Sequence, residues 1–169
     1  MKNLRSFPLS IWALLVAIPL VTGSCRDDNP ATATPATVEG NYKITALSVD
    51  PKALGLYSDL IAASKLLFSN TTCLTDLTIT FKAGGDATTD NPTSCQTIPV
   101  PLSTFTGVDA SSKWVYSGNK LTITKSDGTK TDYTVLSTGT VLKLQWQGAL
   151  NYPIPNTTVY TYTMDLTKK

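Results

Sequence analysis

The chain has 169 residues, sets 14 lysines and arginines against 12 aspartates and glutamates, and contains no histidine. Without imidazole there is no Ser-His-Asp or Cys-His catalysis, no histidine-bound zinc or haem, and no general base poised by nature near neutral pH. Glutamate occurs once, at Glu39, and the aspartates fall mostly in turns and outward strand positions where solvation accounts for them, so no enzyme activity, catalytic residue, metal site or cofactor is expected.

Lys2 and Arg5 form a positive start, Phe7 to Val21 an uncharged apolar run, and Thr22-Gly23-Ser24 a group of small residues ahead of Cys25. This is the three-part layout of an export signal. The run is about 15 residues long and broken by Pro8 and Pro19, whereas a bilayer-spanning helix needs about 20; a retained membrane anchor is the alternative. The small residues before Cys25 resemble the lipobox of bacterial lipoproteins, which implies that Cys25 becomes the new N-terminus and carries lipid chains. Thr22 stands where that pattern usually has leucine, and Thr22 with Ser24 also suits an ordinary secretory peptidase. The thiol count favours lipidation, because it consumes Cys25 and leaves Cys73 and Cys95 as an even pair in an oxidising compartment.

The expected organisation is a signal at 1–24, a lipidated cysteine with a flexible tether at 25–38, and one domain at 39–169. Arg26-Asp27-Asp28 resembles the charged tag that follows the cysteine in surface-exported lipoproteins of some Gram-negative bacteria; a solvated linker is the other reading. Pro30, Pro35 and repeated Ala-Thr, with no large apolar side chain before Val38, read as a spacer. Loss of Lys2 and Arg5 with the signal leaves 12 basic and 12 acidic side chains. That balance, without a basic cluster, argues against a nucleic-acid partner. The expected location is the outer membrane, lipid-anchored, facing the periplasm or the cell surface, with the membrane as partner through the anchor and protein partners unspecified.

After a first strand near Tyr42, the segment Pro51 to Phe68 breaks the alternating pattern. Ala53, Leu56, Tyr57, Leu60, Ile61, Leu67 and Phe68 recur at helical spacing, with Asp50 as N-cap and Pro51 at the first helical position. One amphipathic helix is therefore expected between strands one and two. Beyond it, period-two alternation dominates: Leu77-Thr78-Ile79-Thr80-Phe81, Trp114-Val115-Tyr116, Leu121-Thr122-Ile123, Tyr133-Thr134-Val135, Leu142-Lys143-Leu144-Gln145-Trp146, and Tyr160-Thr161-Tyr162-Thr163-Met164. Apolar side chains then share one face, and threonine fills much of the other. Gly84-Gly85, Gly118-Asn119, Asp127-Gly128 and Thr138-Gly139 supply turns too short for parallel crossovers, so the strands form an antiparallel meander.

Cys73 and Cys95 lie symmetrically about Gly84, and a hairpin turning there brings them side by side as a disulfide; two buried thiols or half of a metal site are the alternatives. Pro92 to Gly107 reads as an irregular loop with a short edge strand. Asp127-Gly128-Thr129-Lys130-Thr131-Asp132 has a calcium-like outline, but Lys130 and the hairpin context favour a plain turn. Asn70-Thr71-Thr72 and Asn156-Thr157-Thr158 match a glycosylation pattern that carries little weight behind a bacterial export signal.

Val38-Glu39-Gly40-Asn41-Tyr42-Lys43-Ile44, then Phe81-Lys82-Ala83-Gly84-Gly85, then Lys113-Trp114 through Gly118-Asn119-Lys120-Leu121, resemble the bacterial lipocalin-like lipoproteins. Their first strand opens on a Gly-x-Trp-Lys type motif, their second ends in Phe-x-x-x-Gly, and a tryptophan strand leads into a Gly-Asn-x-Leu turn. Tyr42 stands where that family often has tryptophan packed across the closed end of the barrel. The resemblance covers Glu39 to Lys169 and implies a mainly β domain, an eight-stranded antiparallel up-and-down lipocalin-like β-barrel with one helix inserted between strands one and two. Strands are expected near Tyr42, Leu77, Thr88, Trp114, Leu121, Tyr133, Leu142 and Tyr160.

Tyr42, Phe81, Trp114, Tyr116, Tyr133, Trp146, Tyr160 and Tyr162 fall on the same face of their strands. One reading is a packed core. The other is a partly open cavity holding a small hydrophobic ligand, with Tyr42, Phe81, Trp114, Tyr116, Trp146, Tyr160 and Tyr162 as ligand-binding residues. The inserted helix then caps the mouth or plugs it. A non-catalytic interaction module assembling with other outer-membrane proteins is the alternative function.

Overall fold

Apolar residues in the first strand change phase partway along it. Tyr42 and Ile44 are buried, then Leu47 and Val49, so the inward series jumps from even to odd positions. The computed structural model, which describes residues 37–150 and 157–169, absorbs that jump in a β-bulge: Ile44 faces Leu166 and Ala46 faces Asp165, leaving Thr45 as the extra residue. A bulge is the way to shift the inward phase by one residue without turning the strand inside out. The signal at 1–24, Cys25, the Arg26-Asp27-Asp28 segment and the tether up to residue 36 lie outside the described residues, as does Asn156.

The first strand, β1 (Gly40–Ala53), pairs along one edge with β3 (Thr78–Phe81) and, further on, with the short β2 (Tyr57–Asp59). From β3 the sheet continues through β4 (Asp86–Thr89), β5 (Ser112–Ser117), β6 (Lys120–Thr124), β7 (Lys130–Ser137), β8 (Val141–Ala149) and β9 (Val159–Lys168). All pairings are antiparallel, and β9 returns to the other edge of β1 from Tyr42↔Lys168 to Asp50↔Thr161. The result is a closed eight-stranded up-and-down barrel, with β2 as a short addition outside the eight. Threonines and cross-strand ion pairs occupy the outer face, among them Lys143–Asp165 at 3.3 Å and Lys120–Asp132 at 2.8 Å.

The register assigns each connection to one end. Gly40, the 82–85 turn, the Gly118-Asn119 turn, the 138–140 turn and Lys168 share one end, called here the closed end. The segment after Ala53, the long 90–111 connection, the 125–129 turn, the last residue of β8 and the first of β9 share the other.

The inserted helix is shorter than the sequence pattern suggests. α1 spans Leu60–Leu67, and its N-cap is Asp59, whose carboxylate accepts from the Ile61 and Ala62 amides at 2.9 and 3.1 Å. Asp50 and Pro51 belong instead to β1, which runs on to Ala53. The physical reason is the turn at Leu54 and Gly55, both with positive φ (53° and 71°), which no right-handed helix can pass through. Two further one-turn helices, α2 (Cys73–Asp76) and α3 (Ser103–Thr106), and a 3-10 turn at Thr93–Cys95 complete the elements of the described residues. The edge strand expected between Pro92 and Gly107 is absent; that connection crosses the end of the barrel as α3 and its flanking turns.

The Cys73 and Cys95 sulfurs are bonded, with their Cα atoms 4.6 Å apart. The hairpin of β3 and β4, turning through Lys82 to Asp86, brings α2 beside the 3-10 turn. Asp76 reinforces the junction, accepting from the Thr72 hydroxyl at 2.6 Å and the Ser94 hydroxyl at 2.7 Å. Those bonds hold its carboxyl below the usual carboxylate range.

Candidate functional site

Inward side chains of the strands, joined by Leu77 just before β3, form one continuous core that includes Ile44, Leu47, Ile79, Leu121, Ile123, Leu142, Leu144 and Leu166. The aromatic residues divide between its two ends. Near the closed end Tyr42, Phe81 and Trp114 make a chain of edge-on contacts, with ring centroids 6.0 and 5.9 Å apart. Tyr42 and Phe81 are 1% and 2% exposed, so these two rings are packed on all sides, and Trp114 is partly buried against them. The Tyr42 hydroxyl lies 3.4 Å from the Glu39 carbonyl, and the Trp114 indole donates to the Lys82 carbonyl at 3.1 Å. Tyr116, partly buried, packs against the same core. None of these four candidate ligand residues lines the cavity at the other end of the barrel.

At the other end the arrangement differs. Trp146 on β8 stacks on Tyr162 of β9, with ring planes 11° apart and centroids 5.0 Å apart. Tyr133 meets Trp146 edge-on at 5.2 Å, and Tyr160 sits 6.3 Å from Tyr162. Beside the Trp146–Tyr162 stack lies an apolar cavity of about 140 Å³. Its walls are Leu47 and Ala53 of β1, Tyr57 of β2, one face of α1 (Leu60, Ala63, Ser64, Leu67), Thr104 and Phe105 of α3, and Gly148 to Leu150 at the end of β8. Of the seven predicted ligand residues, Trp146 and Tyr162 line it. Tyr160 is buried close by with Val49 and Ala53 and does not.

Local sequence explains the recess. The inward series of β8 runs Leu142, Leu144, Trp146 and then Gly148, and a Cβ added at Gly148 meets no atom within 4 Å. A strand glycine with open space in front of it marks a place where something else can approach. Gly148 is thus a site residue that the search for aromatic rings passes over. The signal for it was present, as the one inward position of β8 without a side chain.

The walls are chemically quiet. The Ser64 hydroxyl donates to the Ile61 carbonyl at 2.8 Å, so its polarity is turned back into the helix. Burial pushes the Tyr162 phenol above its ordinary pKa, with Tyr160 adding to the effect, so the ring is neutral at physiological pH. Tyr133 is raised further for the same reason, and its hydroxyl donates to the Thr106 carbonyl at 3.0 Å, fixing α3 as a wall. Among the described residues no group of three or more cysteine, aspartate or glutamate side chains is gathered as a metal site. Such a recess offers dispersion and release of water to an uncharged apolar group. A cavity of about 150 Å³ with aliphatic and aromatic walls takes a benzene-sized guest.

Residues 38–146 match the family model described as a lipocalin-like domain. No curated protein and no solved structure matches the chain.

Proposed function

The chain belongs to the lipocalin-like domain family, and from that premise we propose that it is a non-catalytic cell-envelope lipoprotein that binds a small hydrophobic molecule at the α1 end of its barrel. The observation that carries the reading is the apolar cavity of about 140 Å³ between the Trp146–Tyr162 stack and the inner face of α1. Its volume suits one ring or the end of one aliphatic chain and falls below the roughly 300 Å³ of a pocket that swallows a drug-sized ligand. The guest is therefore held by one end.

The envelope placement is supported by the layout around Cys25, with its small residues, preceding apolar run and following spacer. A fatty chain on that cysteine gives membrane attachment, each buried methylene contributing about 0.8 kcal/mol.

The test is uptake of N-phenyl-1-naphthylamine, followed by its fluorescence, together with native mass spectrometry of protein from its own host. Saturable uptake is expected, and Gly148→Leu, which places a side chain in the cavity, should abolish it without unfolding the protein. Absence of both uptake and co-purified ligand would remove the binding reading. It would favour the interaction module, which the packing of Tyr42, Phe81 and Trp114 on one another at the closed end also suits.

A further inference from the structure

We propose that the cavity end of the barrel docks on a lipid surface through Leu54, Leu56, Leu66 and Leu67, an inference that rests on the hydrophobic-ligand reading above. Leu56 and Leu66 are 70% and 72% exposed, and Leu54 and Leu67 are 41% and 47% exposed. Single exposed apolar residues are ordinary on any surface, and Val115 and Leu136 on β5 and β7 are of that kind. The four leucines are different because they sit on two neighbouring segments, the turn between β1 and β2 and the last residues of α1. Leu54 and Leu67 also belong to the cavity wall. Through Leu54 and Leu67 the apolar cavity lining reaches the exterior, and Leu56 and Leu66 lie within two residues of them along the chain.

The chemistry of the patch selects the occupant. Protein contacts concentrate their energy in tryptophan, tyrosine and arginine, with leucine under-represented, and residues 52–68 hold no tryptophan or arginine and only the half-buried Tyr57. Flexible aliphatic tips need no matching shape in a fluid hydrocarbon layer. Over the longer stretch 50–68, two lysines, Lys52 and Lys65, balance two aspartates, Asp50 and Asp59. The attraction is therefore apolar and should depend neither on acidic headgroups nor on salt.

The anchor allows this orientation. The chain enters the barrel at the closed end, opposite the leucines. The 14 residues from Cys25 to Val38 reach at most about 45 Å when extended. β1, with its 14 residues, spans about the same along its own axis and less along a tilted barrel. A tether of that length lets the far end fold back onto the bilayer that holds the lipid. The cavity mouth then opens where a hydrophobic guest is dissolved.

Hydrogen exchange of the full chain, with and without vesicles of phosphatidylcholine, tests the docking. Amides in 54–57 and 65–68 should slow about tenfold or more on vesicle addition, while the Gly118-Asn119 turn at the closed end stays unchanged. Added phosphatidylglycerol or salt should make no difference. Leu56→Gln with Leu66→Gln, neither of which lines the cavity, should erase the protection and leave probe uptake and melting temperature as they were. Protein that sediments with vesicles and takes up the probe but shows no protection at the leucines overturns the docking and spares the binding reading. Protection that appears without vesicles and grows with protein concentration assigns the patch to a second copy and overturns it equally.

Discussion

A methyl group at position 107 has nowhere to go. Gly107 closes α3 with φ at 68°, and a Cβ built there lies 1.8 Å from the Tyr133 hydroxyl oxygen and 3.1 Å from the ring carbon that bears it. Gly107→Ala therefore meets two costs. The left-handed backbone disfavours alanine by about 1–2 kcal/mol, and the buried hydroxyl must leave the Thr106 carbonyl, which costs about 1–3 kcal/mol. Together they give about 3 kcal/mol. Tyr133→Phe alone removes the hydroxyl and its 3.0 Å hydrogen bond, for about 1 kcal/mol. In the double variant the 1.8 Å contact no longer exists, so the loss should be about 2 kcal/mol rather than the 4 expected of independent sites. Urea denaturation followed by circular dichroism on the wild type and the three variants measures this coupling. Additivity to within about 0.5 kcal/mol would refute the packing of Tyr133 under Gly107 and, with it, the fixed position of α3 as a cavity wall.

Reduction of the Cys73–Cys95 bond, or the pair Cys73→Ala with Cys95→Ala, should lower stability by about 3 kcal/mol in the chain-entropy account, read as a lower urea midpoint; an unchanged midpoint would mean the thiols are not joined. Asp109 accepts from the Ser126 side chain at 2.6 Å, the Ser112 hydroxyl and the amides of Ser126 and Ser111, which hold its carboxyl well below the usual carboxylate range. A carboxylate depressed in the folded state contributes stability above its unfolded pKa of about 4, lost as pH falls toward the folded value. Asp109→Asn should therefore flatten the decline in melting temperature between pH 5 and pH 2, taking these as rough bounds, and an unaltered decline would exclude the role. Cys25→Ser should abolish incorporation of radiolabelled palmitate in a bacterial host; continued labelling would exclude Cys25 as the attachment point.

The barrel strands were legible because alternation is imposed by burial of one face. Thr78 to Phe81, Leu142 to Trp146 and Tyr160 to Leu166 all lie in strands with the expected residues inside, while Leu77, also buried, caps α2 just before its strand. The helix boundary was not legible in the same way. Asp50 and Asp59 are both good N-caps, and the choice was made by the backbone at Leu54 and Gly55, whose left-handed turn depends on β2 finding an edge on β1. The one-turn helices α2 and α3 have too few residues to show a period. For the site, periodicity named Trp146 and Tyr162 as inward-facing, and they line the cavity. It gave the same answer for Tyr42, Phe81 and Trp114, which pack on one another instead. Spacing along a strand tells which way a ring points; whether space remains in front of it depends on neighbours distant in sequence, here β1, α1 and α3, and on an absent side chain at Gly148.

Closure of the sheet joins β1 to β9, from Tyr42–Lys168 to Asp50–Thr161, across nearly the whole length of the domain. A chain emerging amino end first can thus form its successive hairpins early, while its opening strand waits for β9. Until β9 arrives, the backbone of β1 along that span and of β8 from Val141 to Ala149 presents unpaired amides and carbonyls, a template for joining to other chains. The family match ends at Trp146, so a fragment cut at that limit omits the seam. Such a fragment is expected to aggregate, and the segment 159–168 supplied as a separate peptide should rescue it by strand addition.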